Sequence, residues 1–221
     1  MNDLQENHED LMERWSNTKL HKNEGFVIDG PIDPKRWQSV DRKIVLLLKE
    51  AYGEDTNWSL PQLIRDEWRG PKYKIWWTAS YWLYALNRTT QTIIPDFPST
   101  QEKWNECTEL LLSAAVVNIK KSRGKSVSDD EELLSYARTD KQFLREQMSL
   151  LAPDIILCGN TFKFLKEFWV NVKPIDSEKF FYRSDNTIII NYWHPANHYP
   201  NQLCFYSLCA LFQKTKIFIN I

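Results

Sequence analysis

KIVLLLKEAYGED, residues 43–55, places five consecutive apolar residues directly before charge, a tyrosine and a glycine. An apolar run this short, without alternation, reads as a strand buried on both faces. Three further runs have the same character: Ala114–Val117, Asp154–Cys158 and Thr187–Ile190. Segments of helical periodicity separate them. Ile75, Trp76, Ala79, Trp82, Leu83 and Leu86 share one face in the second half of residues 68–88. Ser99 or Thr100 caps a helix carrying Trp104, Cys107, Leu110 and Leu111. Another helix runs to about Leu151, before Pro153, and others cover residues 161–170 and 202–213. A helix opened by Ser59 carries Pro61 in its first turn. Strands alternating with helices imply βα units. The expected fold is α/β, a three-layer α/β/α sandwich around a central four-stranded parallel sheet.

Outward from this core, residues 3–16 read as a helix with Leu4, Leu11, Met12 and Trp15 on one sticky face. The expected division is an N-terminal helix and loop over residues 1–24, followed by one domain over 25–221. With 43% hydrophobic and 26% charged residues in 221, the chain is neither disordered nor a coiled coil. No run of eighteen apolar residues occurs, so no helical membrane span is expected. The acidic, amphipathic start is unlike a secretory signal or transit peptide. Cys107, Cys158, Cys204 and Cys209 lack CxxC spacing and sit in apolar contexts, which reads as reduced core thiols in a cytoplasmic protein. The four histidines lack Cys/His pairing and give no expectation of a metal site, and no cofactor is implied. Walker-type phosphate loops, GxGxxG and GxSxG are absent from the sequence, which argues against NTPases, dinucleotide enzymes and nucleophile-elbow hydrolases. The net charge is −1, so nucleic-acid binding would rest on a local patch.

In open parallel sheets, ligands bind at the carboxyl ends of the strands. Those ends carry Glu50, Asn118, Gly159-Asn160 and His194, which are expected to line one cleft. Asn118 offers an acceptor and a donor together, as reading a polar ligand edge requires. The fourth strand is followed by His194-Pro195, a pair that is otherwise uncommon after a buried strand. Glu50 and Asp55 are carboxylates after the first strand, and Tyr52 and Tyr73 are rings that a ligand could stack on. Each also has a purely structural reading, as a cap, an ion-pair partner or a packed ring. Lys120, Lys121, Arg123 and Lys125 form a basic run directly after Asn118, placed to hold phosphates or simply solvated.

LLLKEAYGED (46–55), AAVVNIKKSRGKS (114–126), PDIILCGNT (153–161) and IIINYWHPAN (188–197), in that order, resemble the uracil-DNA glycosylase superfamily. The first is similar to its motif A in the Gly-Glu-Ala-Pro-Gly form, and the last to its His-Pro-Ser motif B. The second is similar to the strand whose terminal Asn reads the pyrimidine. Lys49 stands for the first Gly of motif A, Tyr52 for its Pro, and Ala196 for the Ser of motif B. Ala51 stands where many members hold water with Asp or Asn. Ser122 stands where one branch has an iron–sulfur cysteine. The resemblance implies a DNA glycosylase that hydrolyses the N-glycosidic bond of uracil or a modified pyrimidine flipped out of DNA. His194, Glu50 and Asp55 would be catalytic, and Asn118, Tyr52 and Tyr73 would bind the base. The basic run, together with His198 and Tyr199 beyond motif B, would meet DNA. DNA is the implied partner, with no membrane and no obligatory protein. The alternative is a non-catalytic nucleotide or nucleic-acid binder on the same fold.

Overall fold

A computed structural model describes residues 3–22, 24–53, 56–67 and 73–215. In chain order the elements are α1 (Asp3–Ser16), β1 (Val27–Ile28), β2 (Gly30–Pro31), α2 (Pro34–Ser39), β3 (Ile44–Glu50), β4 (Trp58–Ser59), α3 (Leu60–Glu67), α4 (Lys74–Arg88) and α5 (Gln101–Leu112). Then follow β5 (Ala115–Lys120), α6 (Asp130–Thr139), α7 (Lys141–Leu151), β6 (Ile155–Gly159), α8 (Phe162–Phe168), β7 (Lys173–Pro174), β8 (Phe181–Ser184), β9 (Thr187–Tyr192) and α9 (Asn201–Lys214).

The expected sandwich is present. Four mutually parallel strands, in the order β5-β3-β6-β9, form the centre of the sheet. Successive side chains on a strand face opposite ways, so each strand feeds two separate cores. Ile44, Leu46 and Leu48 of β3 pack with Ile64 of α3 and with α4, α5 and α9. Val45 and Leu47 pack on the other face, with Leu11 and Trp15 of α1 and with α6, α7 and α8. The apolar face of α1 therefore belongs to the same core as the sheet. All four cysteines are buried free thiols, as the sequence suggests.

The sheet is wider than the four expected strands. β2 pairs antiparallel with β5 at one edge, and β8 and β7 extend the other edge antiparallel from β9. A two-residue turn, Asp185-Asn186, joins β8 to β9, with Asp185 at φ 50. Asx-rich turns of two residues are a hairpin signal, so this extension was legible. The helix expected to reach Leu151 without interruption is instead two helices that meet at Asp140. Its carboxylate is held 2.8 Å from His21 Nε2 in the interior, which draws the chain off the helix path.

Candidate functional site

At the carboxyl ends of the parallel strands lies a cleft of about 860 Å³. Glu50, Asn118 and His194 all line it, together with Tyr52, Tyr73, Lys125 and His198. Register accounts for the first two. Leu48 pairs with Asn118 and Glu50 with Lys120, so Leu48, Glu50 and Asn118 share one face of the sheet. Trp58, Leu60, Leu63, Ile75 and Trp76 build an apolar wall opposite.

Asn118 is 1% exposed. Its backbone N–H donates to Asp29 Oδ2 at 2.6 Å, while its side-chain Nδ2 has no hydrogen-bond partner among the described residues. Leaving a buried donor unsatisfied costs about 1–3 kcal/mol, a cost that a ligand in the cleft would remove.

His194 follows β9 on a loop pinned at several points. Pro195 packs against Gly159, where an added Cβ would sit 2.7 Å from Leu48 and 3.2 Å from Pro195. Asn197 N and Nδ2 both donate to the His194 carbonyl, at 3.0 and 2.8 Å. His194 Nδ1 accepts from Ala196 N at 3.2 Å. A ring nitrogen that accepts carries no proton, so the neutral ring bears its proton on Nε2 and is a donor there. Burial, aided by the Lys49 ammonium, lowers the His194 pKa to about 4, which keeps the ring neutral near pH 7.

Glu50 has a side chain only 3% exposed. Lys120 Nζ lies 3.3 Å from its Oε2, close enough for charge pairing but off the line of a hydrogen bond. Lys120 also donates to Glu132 Oε1 at 2.8 Å and sits 5.3 Å from the centre of the Tyr136 ring. Burial opposes its charge, but Glu132 and Glu50 outweigh that and raise its pKa above the ordinary value.

Several expectations are corrected here. β5 continues to Lys120, beyond the expected end at Val117, so the basic run is not a solvated loop throughout. Lys120 is buried between two carboxylates, and Lys121 is fully buried against Asp29 on the opposite side of the strand. Neither ammonium can reach a phosphate. Arg123 is exposed but does not line the cleft, whereas Lys125 lines it while pairing with Glu132 at 2.6 Å. Asn160 is exposed outside the cleft, its N–H bonded to the Tyr192 carbonyl. Tyr199 is also outside it, edge-on to Trp193 with ring centres 5.2 Å apart. His198 sits exposed at the rim. Tyr73 donates to Glu67 at 3.1 Å, and Tyr52 is 72% exposed. Asp55 lies outside the described residues.

Sequence reasoning missed Asp29, Asn197 and Trp58. Gly53 makes room for the Trp58 ring, which a Cβ there would meet at 2.6 Å. Gly124 likewise lets the loop after β5 bond the Ala51 carbonyl at 2.9 Å, and a Cβ would lie 2.8 Å from that oxygen. Glycines in both places were the available signal for close approach. Among the described residues, no group of three or more His, Cys, Asp or Glu could hold a metal ion.

Acid stability follows from two histidines. His8, buried over Gly30, has its pKa lowered to about 4 by burial, with Asp29 opposing and Lys121 assisting. His194 is depressed likewise. Between pH 6.5 and about 4, the unfolded chain binds these protons and the folded chain does not, so stability falls as pH drops through that window. At about 1.4 kcal/mol per pKa unit, each histidine contributes roughly 3 kcal/mol to the fall. Urea midpoints at pH 7 and pH 4.5 should differ less in His8→Gln than in the native protein. Equal differences would remove His8 from the account.

No protein-family model matches the chain, and no curated protein matches it.

Proposed function

We propose that this protein is a DNA glycosylase of the uracil-DNA glycosylase type, acting on uracil or a modified pyrimidine flipped out of DNA. The observation that carries the reading is the unpartnered Asn118 amide and the neutral His194 ring on one cleft at the strand ends. In the reaction, a water oxygen bonds the sugar C1′ as the bond to the base nitrogen breaks, and the proton that the water loses passes through solvent to the departing base. The electron pair of that bond leaves with the base. Asn118 reads the pyrimidine edge, and His194 Nε2–H donates to the oxygen where negative charge develops. Glu50 faces the sugar cation or orients the water. Tyr52 and Tyr73 supply rings for stacking.

A binder without catalysis is the second reading. It is favoured by Ala51 and by the burial of Glu50 against Lys120. Oligonucleotides carrying uracil, mismatched thymine or modified cytosines separate the two readings. Alkali-sensitive breaks mark abasic product and support the enzyme. Binding that Asn118→Ala abolishes, with no breaks from any oligonucleotide, marks the binder.

The DNA contact now rests on the exposed charges. Lys125→Ala should reduce the slope of log affinity against log salt by about one. Lys120→Met should leave that slope unchanged, because its ammonium is committed to Glu50 and Glu132. Fluorescence anisotropy across a salt series measures both. A slope insensitive to Lys125 would take that residue off the DNA path.

A further inference from the structure

We infer that Asp29 is a positioning residue for the cleft, held in place by Lys121 and Gln147 behind the strand that carries Asn118. The inference rests on Asn118 being the group that meets the ligand.

β2 covers only part of the outer edge of β5. Its pairing places Gly30 beside Val116 and Pro31 beside Ala115, and goes no further. The next N–H of β5 that faces this edge belongs to Asn118. Among the described residues, no backbone carbonyl meets it. The Asp29 carboxylate takes the missing ladder position instead, accepting that N–H through Oδ2 at 2.6 Å. A charged acceptor makes a stronger and more directional anchor than a carbonyl.

The carboxylate is itself fixed from three sides. Lys121 Nζ donates to both oxygens at 2.7 Å and to Gln147 Oε1 at 3.0 Å. Gln147 Nε2 donates to Oδ1 at 2.8 Å and lies 3.2 Å from His8 Nε2. The Trp15 ring centre is 4.7 Å from the Lys121 ammonium. Asp29, Lys121 and Gln147 are fully buried, so the group is sealed from water and from the cleft. Asp29 comes from the β1–β2 connection, Gln147 from α7, and His8 and Trp15 from α1. Residues far apart in the chain therefore converge on one peptide N–H, whose nitrogen is bonded directly to the Cα of Asn118 in the cleft lining.

The test compares the full-length native chain with Asp29→Leu/Lys121→Met, a neutral replacement of similar volume that removes the acceptor, and with each of these combined with Asn118→Ala. Circular dichroism checks folding. The ¹⁵N-resolved side-chain amide of Asn118 reports its placement without reference to activity. In the neutral variant these resonances should move toward those of a solvent-exposed asparagine. Single-turnover base release should fall by about tenfold or more, since ångström-scale misplacement costs up to about 10²-fold. Adding Asn118→Ala should then cost less than it does in the native background. A folded neutral variant with native Asn118 side-chain resonances and native base release overturns the inference. If the neutral variant does not fold, the native protein decides: a strongly downfield, exchange-protected Asn118 backbone proton supports the anchor, and an ordinary, rapidly exchanging one overturns it. Should the native protein release no base, the glycosylase reading fails, while the amide resonances still decide the role of Asp29.

Discussion

Replacing His194 with alanine is expected to remove most base release while leaving duplex affinity near the native value. On the proposed reading, charge reaches the base oxygen only as the glycosidic bond breaks. An interaction made only in the transition state lowers kcat more than it weakens ground-state binding. Loss of one such donor typically costs on the order of 10²-fold or more in rate. The geometry favours a donor: Nδ1 accepts from Ala196, so the proton is on Nε2. The pKa lowered to about 4 sets the pH dependence. The neutral donor persists as pH falls from 7 to 5.5, and any loss of rate on its account comes near pH 4. An unperturbed histidine would begin to change near pH 6.5. Single-turnover excision, run beside equilibrium binding from pH 4 to 8, measures both features. Equal losses of rate and affinity in His194→Ala would make the residue a binding group and sink the transition-state role.

Asp29→Ala is expected to be the most destabilising single change in the protein outside the large core side chains. Lys121 is fully buried; Asp29 is the carboxylate its ammonium contacts directly, and Asp140 adds a weaker charge interaction. Burial lowers the Lys121 pKa, and Asp29 opposes that shift. Removing one partner of a buried pair costs about 3–5 kcal/mol, because the other charge is left uncompensated. Against a typical total stability of about 5–15 kcal/mol, that is a large share. Replacing both charges, as in Asp29→Asn/Lys121→Met, should recover much of the loss, since neutral substitutes for buried pairs are often tolerated. Urea unfolding gives the three stabilities. A small effect of Asp29→Ala, below about 1 kcal/mol, would mean that water reaches the ammonium after all.

The layered α/β core was legible in the sequence because burial on both faces forces an unbroken apolar run. KIVLLLKE could satisfy two cores only as a central strand, and its neighbours 114–117, 154–158 and 187–190 carried the same signature. The strand-end rule then brought Glu50, Asn118 and His194 to one cleft without any knowledge of side-chain contacts. Among the edge strands, β8 could be read from its hairpin turn, while β2 and β7 left a weaker trace. Both are two residues long and end in proline, and their pairing depends on a neighbour supplied by the fold.

Charge was where the sequence by itself could not choose. Lys120, Lys121, Arg123 and Lys125 look alike as letters, yet the alternation of β5 sends Lys120 toward Glu50 and Glu132 and Lys121 toward Asp29 and Gln147. Whether a lysine faces water or an interior carboxylate depends on partners 12 to 92 residues away. Local pattern reports the periodicity of burial, and so determined the strands and the cleft. Only the packed tertiary structure brought counter-charges from distant segments against each ammonium, because a buried charge is stable only where its partner already sits.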